Sequence, residues 1–339
     1  MSNLTQFLPL GKTAPRIARM AVSNWVLRTG AATNTWIGIA WNGTVFAATD
    51  NDGVTRIQTS PDGITWTART SPAAVGWCCI AWNGTLFAAL ALNGTTSNQI
   101  MTSPDGITWT PRTSPAAIAW RGIAWNGTVF AAVSNSGTGN RVMTSPDGIT
   151  WTSRTSAADN LWNGIAWNGT VFAAVAGSGT GNRVMTSPDG ITWTIRTSAA
   201  DLTWNAIAWN GTVFAAVAGS GTGDRVMTSP DGITWTSRTS AADNSWRAIA
   251  WNGTVFAAVS VSGVGNRIMT SPDGITWTSR ASTNDGTWWG IAWNGLGTAP
   301  MYLLPIPGSA TAGTVFAAVS ESGTGNRVMT NLFYKRDAT

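Results

Sequence analysis

Apolar residues along this chain fall into short runs, separated by Asn-Gly, Gly-rich and Pro-Asp-Gly stretches. No segment holds a sustained 3.6-residue apolar period, so no helix is predicted. The pattern predicts strands. In the stretch from Trp204, a first strand is expected over Ala206–Trp209. Asn210-Gly211 follows, a two-residue hairpin signal because both positions accept positive φ. A second strand, rich in β-branched and aromatic residues, is expected over Thr212–Val217. The loop AGSGTG then leads to a third strand at Arg225–Ser229. Pro230-Asp231-Gly232 reads as a tight turn: proline presets φ, aspartate accepts local backbone N–H groups, and glycine takes the left-handed position. A fourth strand is expected over Ile233–Arg238.

The same unit recurs. IAWNG begins at Ile39, Ile80, Ile123, Ile165, Ile207, Ile249 and Ile291, at steps of 41, 43, 42, 42, 42 and 42 residues. Four antiparallel strands at such a period make the blade of a β-propeller, a unit that buries its faces only by stacking on neighbours. The expected fold is therefore all-β, a seven-bladed propeller of four-stranded antiparallel blades. The turn SPDGITW occurs only six times, at Ser60, Ser103, Ser145, Ser187, Ser229 and Ser271, and after the seventh IAWNG the chain reads NRVMTNLF without it. Trp25 precedes Ile39 by 14 residues, as Trp66 precedes Ile80. Asn24–Arg28 is thus expected to complete the last blade beside Asn326–Asn331 and close the ring. The predicted organisation is an N-terminal arm over 1–22, a propeller over 23–334 with an insertion at 296–312 in the last blade, and a tail at 335–339.

Of 22 tryptophans, 21 fall into three sets of seven. Trp25, Trp66, Trp109, Trp151, Trp193, Trp235 and Trp277 sit on the fourth strand. Trp41, Trp82, Trp125, Trp167, Trp209, Trp251 and Trp293 end the first strand. Both sets are assigned to the core between blades. The third set (Trp36, Trp77, Trp120, Trp162, Trp204, Trp246 and Trp288) lies five residues before the second, and Trp289 is the one extra.

Charged residues make up only 10% of the chain, with 20 Lys+Arg against 15 Asp+Glu. The excess is spread as single arginines per blade, such as Arg141, Arg183 and Arg225, and not as the clustered stripe of a nucleic-acid binder. These arginines are expected to brace strands. Neither a secretion signal nor a run of 18 apolar residues is found, so no membrane insertion is expected. The adjacent Cys78 and Cys79 read as small buried thiols. No metal site and no cofactor is predicted: the Gly-rich loops precede no helix, and Asp50-Asn51-Asp52 lacks a full ligand set.

SPDGITW resembles the repeated motif of the Asp-box propellers, a family that includes sialidases, over six of the seven blades. That motif runs Ser-any-Asp-any-Gly-any-Thr-Trp; here it is one residue shorter. The resemblance implies that Asp62, Asp105, Asp147, Asp189, Asp231 and Asp273 are structural, remote from any active site. A sialidase-like centre would need an arginine cluster, a tyrosine with a glutamate beside it, and an acidic residue. This chain has two tyrosines, Tyr302 and Tyr334, one glutamate, Glu321, and no histidine. No enzyme is expected. The opening MSNLTQFLP is similar to those of bacteriophage tail-fibre and other virion proteins, which implies a place on a virion assembled in a host cytoplasm.

The copies differ in one place above all. The IAWNG hairpin and the SPDG turn share one end of each blade and hardly vary, the last blade apart. At the other end, the residue after the third tryptophan is Ile37, Cys78, Arg121, Asn163, Asn205, Arg247 or Trp289, and the loop between second and third strands varies too. Two readings stand. In one, the third tryptophans are stacking platforms for sugars, with Arg121, Asn163, Asn205, Arg247 and Trp289 selecting the ligand. In the other, those tryptophans pack between blades and the loops tolerate change. The favoured expectation is a multivalent, lectin-like module on a phage particle binding host-surface glycans. The alternatives are a virion scaffold without a ligand and a degenerate glycosidase. The apolar insertion, with Met301, Tyr302, Leu303, Leu304 and Ile306, is expected to dock on the arm, on a second copy of the chain or on another virion protein.

Overall fold

A computed structural model describes residues 25–52, 56–295, 314–322 and 327–333. Among these residues there are seven four-stranded antiparallel sheets and no helix. The arm over 1–22, the insertion and the tail at 335–339 lie outside the described residues. The first blade runs through strands Trp36–Trp41, Phe46–Asp50, Ile57–Ser60 and Thr67–Arg69 in sequential order, and five further blades repeat this arrangement. The seventh consists of Trp288–Trp293, Thr314–Ser320, Val328–Phe333 and, from the other end of the chain, Val26–Arg28. There Val26 pairs with Thr330, Leu27 with Met329 and Arg28 with Val328. The expected clasp is present. It is chemically equivalent to its counterparts: Arg28 Nε donates to Thr330 Oγ1 at 3.0 Å, as Arg69 does to Thr59 and Arg238 to Thr228.

Each blade has one bulky face and one small face. In the fifth, Trp204, Ile207, Phe214, Met227 and Trp235 point to the preceding blade, where they meet Ala173, Val175 and Val184. The fifth blade's opposite face offers Ala215, Val217 and Val226 to Trp246, Ile249, Phe256 and Trp277 of the sixth. Seven such clusters follow round the ring, and the one that closes it sets Trp36, Ile39, Phe46 and Trp66 against Ala317, Val319 and Val328. Large side chains on one blade are seated on alanines and valines of the next at each interface. Inner strands approach closest of all: a Cβ on Gly164 would lie 2.9 Å from Ala206 Cα, so only small residues fit there.

Two turns set the constant end. In SPDG, Asp231 Oδ1 accepts the N–H of Ile233 (2.8 Å) and of Thr234 (3.1 Å) and the hydroxyl of Ser229 (3.0 Å). Gly232 holds φ +79°, and its carbonyl accepts Trp235 Nε1–H at 2.9 Å. This turn runs further than expected, so the fourth strand begins at Thr236 and not at Ile233. The hairpin also differs from expectation. Asn210 keeps negative φ and its Oδ1 accepts the N–H groups of Thr212 and Val213, while Gly211 alone is at positive φ, +98°. Asn210 N–H bonds Val213 O, leaving Gly211-Thr212 as a two-residue loop with glycine first, the type II′ pattern. The first strand starts two residues early, at Trp204, through a bulge between Trp204 and Ala206.

A central cavity as the candidate binding site

The third tryptophans are not platforms. Trp36, Trp77, Trp120, Trp162, Trp204, Trp246 and Trp288 are all 0% exposed. Six of the seven also donate their indole N–H inside the protein: Trp204 to Ala200 O at 3.0 Å, Trp162 to Ala158 O at 2.9 Å, Trp77 to Ser71 Oγ at 2.8 Å, and Trp36, Trp120 and Trp246 likewise. An indole with no free face and its donor already engaged cannot stack on a sugar, so the sugar-platform assignment is withdrawn and the packing alternative holds. The physical cause is the bulge. It turns the third tryptophan onto the same bulky face as Ile207 and Trp209 and points the residue between toward the axis.

The residues that follow them do converge. Ile37, Cys78, Arg121, Asn163, Asn205, Arg247 and Trp289, one from each inner strand, line a single cavity of about 500 Å³ on the ring axis, together with Cys79, Asn135, Leu161 and Thr203. Several of them also tie their blade to the next. Asn163 Nδ2 donates to Trp204 O at 2.9 Å, Asn205 Nδ2 to Trp246 O at 2.8 Å, and Cys78 Sγ to Trp120 O at 2.9 Å. Arg247 lies over the Trp289 ring, 4.5 Å from its centroid, and its Nη1 is 3.4 Å from Asn205 Oδ1. Burial, then the charge of Arg121, pulls the Arg247 pKa down, with Glu321 acting the other way. Both thiols are free; their sulfurs are 3.6 Å apart, and burial pushes Cys79 up. The titratable lining is thus two arginines and two cysteines.

The variation at these seven positions therefore converges on one cavity per ring, not on seven separate surfaces. The variable loops add braces: Arg183 Nε is 3.5 Å from Asp201 Oδ1, and Gly181 N–H donates to the same oxygen at 2.7 Å, a set repeated from Arg141, Arg225 and Arg267. The docking candidates Met301, Tyr302, Leu303, Leu304 and Ile306 lie outside the described residues. No group of three or more metal-ligating side chains occurs among the described residues.

The six turn aspartates sit where the SPDG repeat places them. In Asp62, Asp105, Asp147, Asp189, Asp231 and Asp273 burial pushes the pKa up, but two or more backbone N–H groups and a serine hydroxyl outweigh it and hold the carboxyl below its ordinary value. They act on the turn and not on the cavity.

No protein-family model matches the chain, and no curated protein matches it. Solved structures do. A catalytically inactive virginiamycin B lyase from Staphylococcus aureus with quinupristin superposes with a TM-score of 0.72 at 12% identity, covering 92% of this chain and 100% of that one. YCF48 bound to D1 peptide gives 0.65 at 14% identity, covering 94% and 100%. A GH74 enzyme of Niastella koreensis gives 0.64 at 15% identity, covering 91% of this chain and 53% of the other. The chain shares the seven-bladed propeller fold with the lyase; at these identities the likeness speaks for architecture alone.

Proposed function

We propose that this chain is a non-enzymatic recognition module, carried on a bacteriophage tail or virion, that takes a host-surface glycan into its central cavity. One observation carries the reading. The seven residues that follow the third tryptophans, which differ in kind from blade to blade, all face one cavity. Repeats that present different side chains to a shared hollow have the form of a site shaped for one asymmetric ligand. Turnover is disfavoured by the chemistry of the described lining, which has no pair of carboxylates for general acid–base work on a glycosidic bond. Avidity, in this reading, comes from several copies of the chain on a particle and not from seven sites on one ring.

Asp-box kinship belongs to the same proposal. The Ser229–Asp231–Trp235 bonding pattern, repeated in six blades, supports it, and the missing residue in the motif counts against it. The arm over 1–22 and the 296–312 insertion are the segments we assign to docking on other virion proteins or on a second copy.

A glycan array probed with the intact chain tests the reading. Binding to a restricted set of glycans is expected, lost in Asn205→Ala and Trp289→Ala while melting curves still show a folded chain; Asn205→Ala also gives up its bond to Trp246 O, so a modest fall in melting temperature is expected there. Binding that survives both changes places the ligand elsewhere. An empty array, with particle incorporation lost when 296–312 is deleted, favours the scaffold alternative.

A further inference from the structure

Thirteen of the fifteen arginines among the described residues have an evident bracing role. Seven donate Nε to a threonine on the adjacent strand, as Arg154 does to Thr144 at 2.9 Å. Arg141, Arg183, Arg225 and Arg267 pair with an aspartate and donate to backbone carbonyls, and Arg56 and Arg327 also donate to carbonyls. Arg121 and Arg247 stand apart. They occupy the same register position in the third and sixth blades, and both face the cavity. Arg121 makes no hydrogen bond or ion pair among the described residues, and Arg247, apart from its place over the Trp289 ring, makes only the long contact to Asn205. The Nε of each is buried without a partner. No Asp or Glu is among the residues lining the cavity.

Two guanidiniums lining one partly desolvated hollow repel each other; burial first and Arg121 second lower the Arg247 pKa, against the pull of Glu321. An arginine stays protonated, so the repulsion is not relieved by losing a proton. An anion between the two would relieve it and accept charge-assisted hydrogen bonds from both. Ile37 and the Trp289 ring supply an apolar wall for the rest of a ligand.

We propose that the central cavity is an oxyanion site, in which Arg121 and Arg247 together hold a carboxylate or phosphate group of the ligand while its uncharged body lies toward Trp289. This deepens the reading of the cavity as the ligand site and rests on it. The expected ligand is an acidic or phosphorylated sugar; a neutral one is not.

The test titrates the full chain with glucose, glucuronate, glucose 6-phosphate and inorganic phosphate, by calorimetry and ligand-observed NMR at low ionic strength. At least one charged probe is expected to bind about tenfold or more tighter than glucose, and to weaken as salt is raised. Glucuronate alone marks a carboxylate site; glucose 6-phosphate with inorganic phosphate marks a phosphate site. Arg121→Gln and Arg247→Gln are each expected to cost about tenfold in that affinity. In the unliganded protein Arg121→Gln should leave the melting temperature equal or higher, because a repulsion has been removed; Arg247→Gln also gives up its place over Trp289 and should change it little. The double variant, folded by its melting curve, should not bind. The proposal is overturned if no charged probe binds, if glucose binds as well as glucuronate and glucose 6-phosphate, or if the double variant still binds. Failure of the broader reading looks different: arginine-dependent phosphate binding with an empty glycan array keeps the oxyanion site and removes the glycan, whereas array binding confined to neutral glycans does the reverse.

Discussion

Asp50 is fully buried at the end of the second strand of the first blade, at the position held by Ser134, Ser260 and Ser320 in other blades. Its Oδ1 accepts Asp52 N–H at 2.9 Å, and its buried Oδ2 has no partner among the described residues. Burial is the largest influence and raises its pKa to about 6, against the pull of Asp52 N–H and Arg56. For an acid raised above its unfolded value, the charged form is the disfavoured one in the folded state. The destabilisation is absent below the unfolded pKa of 3.8, grows as pH rises, and is complete above about 6. Asp50→Ser, the residue three sister blades use, is therefore expected to stabilise at pH 7–8 by up to about 3 kcal/mol. At pH 4 it should do little. Denaturant midpoints at the two pH values check this, and equal effects at both would refute it. At the third tryptophan the expectation reverses sign: Trp204→Ala removes a fully buried indole and should cost about 3–5 kcal/mol, read as a large fall in melting temperature. The cavity was half legible at this scale. Variation among copies picked out Arg121, Asn163, Asn205, Arg247 and Trp289, because a repeat carries its own comparison. The direction of Trp204 was not legible, since it depends on a bulge that leaves no mark in the periodicity.

Among elements, the SPDG turn recurs so faithfully because one aspartate, one serine and one glycine carbonyl satisfy most of its polar groups. The seventh blade lacks that turn. Trp25 takes the same place, 3% exposed and with its ring centroid 6.2 Å from Phe316, yet among the described residues its buried Nε1–H has no partner, where Trp235 has Gly232 O at 2.9 Å. Trp25→Phe and Trp235→Phe lose similar ring area, but only the second loses a hydrogen bond. Trp235→Phe should be the more destabilising by about 1 kcal/mol. Equal losses in denaturant titrations would mean that the bond contributes nothing. The folded pKa values of the turn aspartates are lowered, so their contribution is present above the ordinary carboxylate pKa and is lost as pH falls through the lowered values. Element count and order were legible from the 42-residue period. Strand ends were not, because the side-chain bonds of Asp231 and Asn210 extend the turns into positions that strand propensity would claim, and the II′ form of the hairpin follows from asparagine serving as an acceptor in place of adopting positive φ.

A ring of alternating bulky and small faces has no free face only if it closes, and here the closing interface is built from both ends of the chain. Trp36, Phe46 and Trp66 of the first blade cover the seventh, whose outer strand is Val26–Arg28. Without that strand, Val328–Phe333 becomes an edge with unpaired backbone groups, and Phe316 loses the ring that covers it. Burying Trp25 removes on the order of 200 Å² from water, worth at most roughly 5 kcal/mol. Because each blade contacts only its neighbours, such a loss acts first on the interface of the seventh blade with the sixth, where Trp25 meets Ala257, Val259 and Ile268, and spreads through coupled interfaces. Two trimmed chains separate the clasp from the arm. One starting at residue 23 keeps Val26–Arg28 and should melt as the full chain does. One starting at residue 30 should melt well below it and self-associate through the exposed edge, and a synthetic peptide of residues 22–30 should restore the melting temperature and the monomer. If the chain starting at residue 30 melts unchanged, the Val26–Arg28 strand is not what holds the ring, and the contacts of Trp36, Phe46 and Trp66 with the seventh blade suffice to close it.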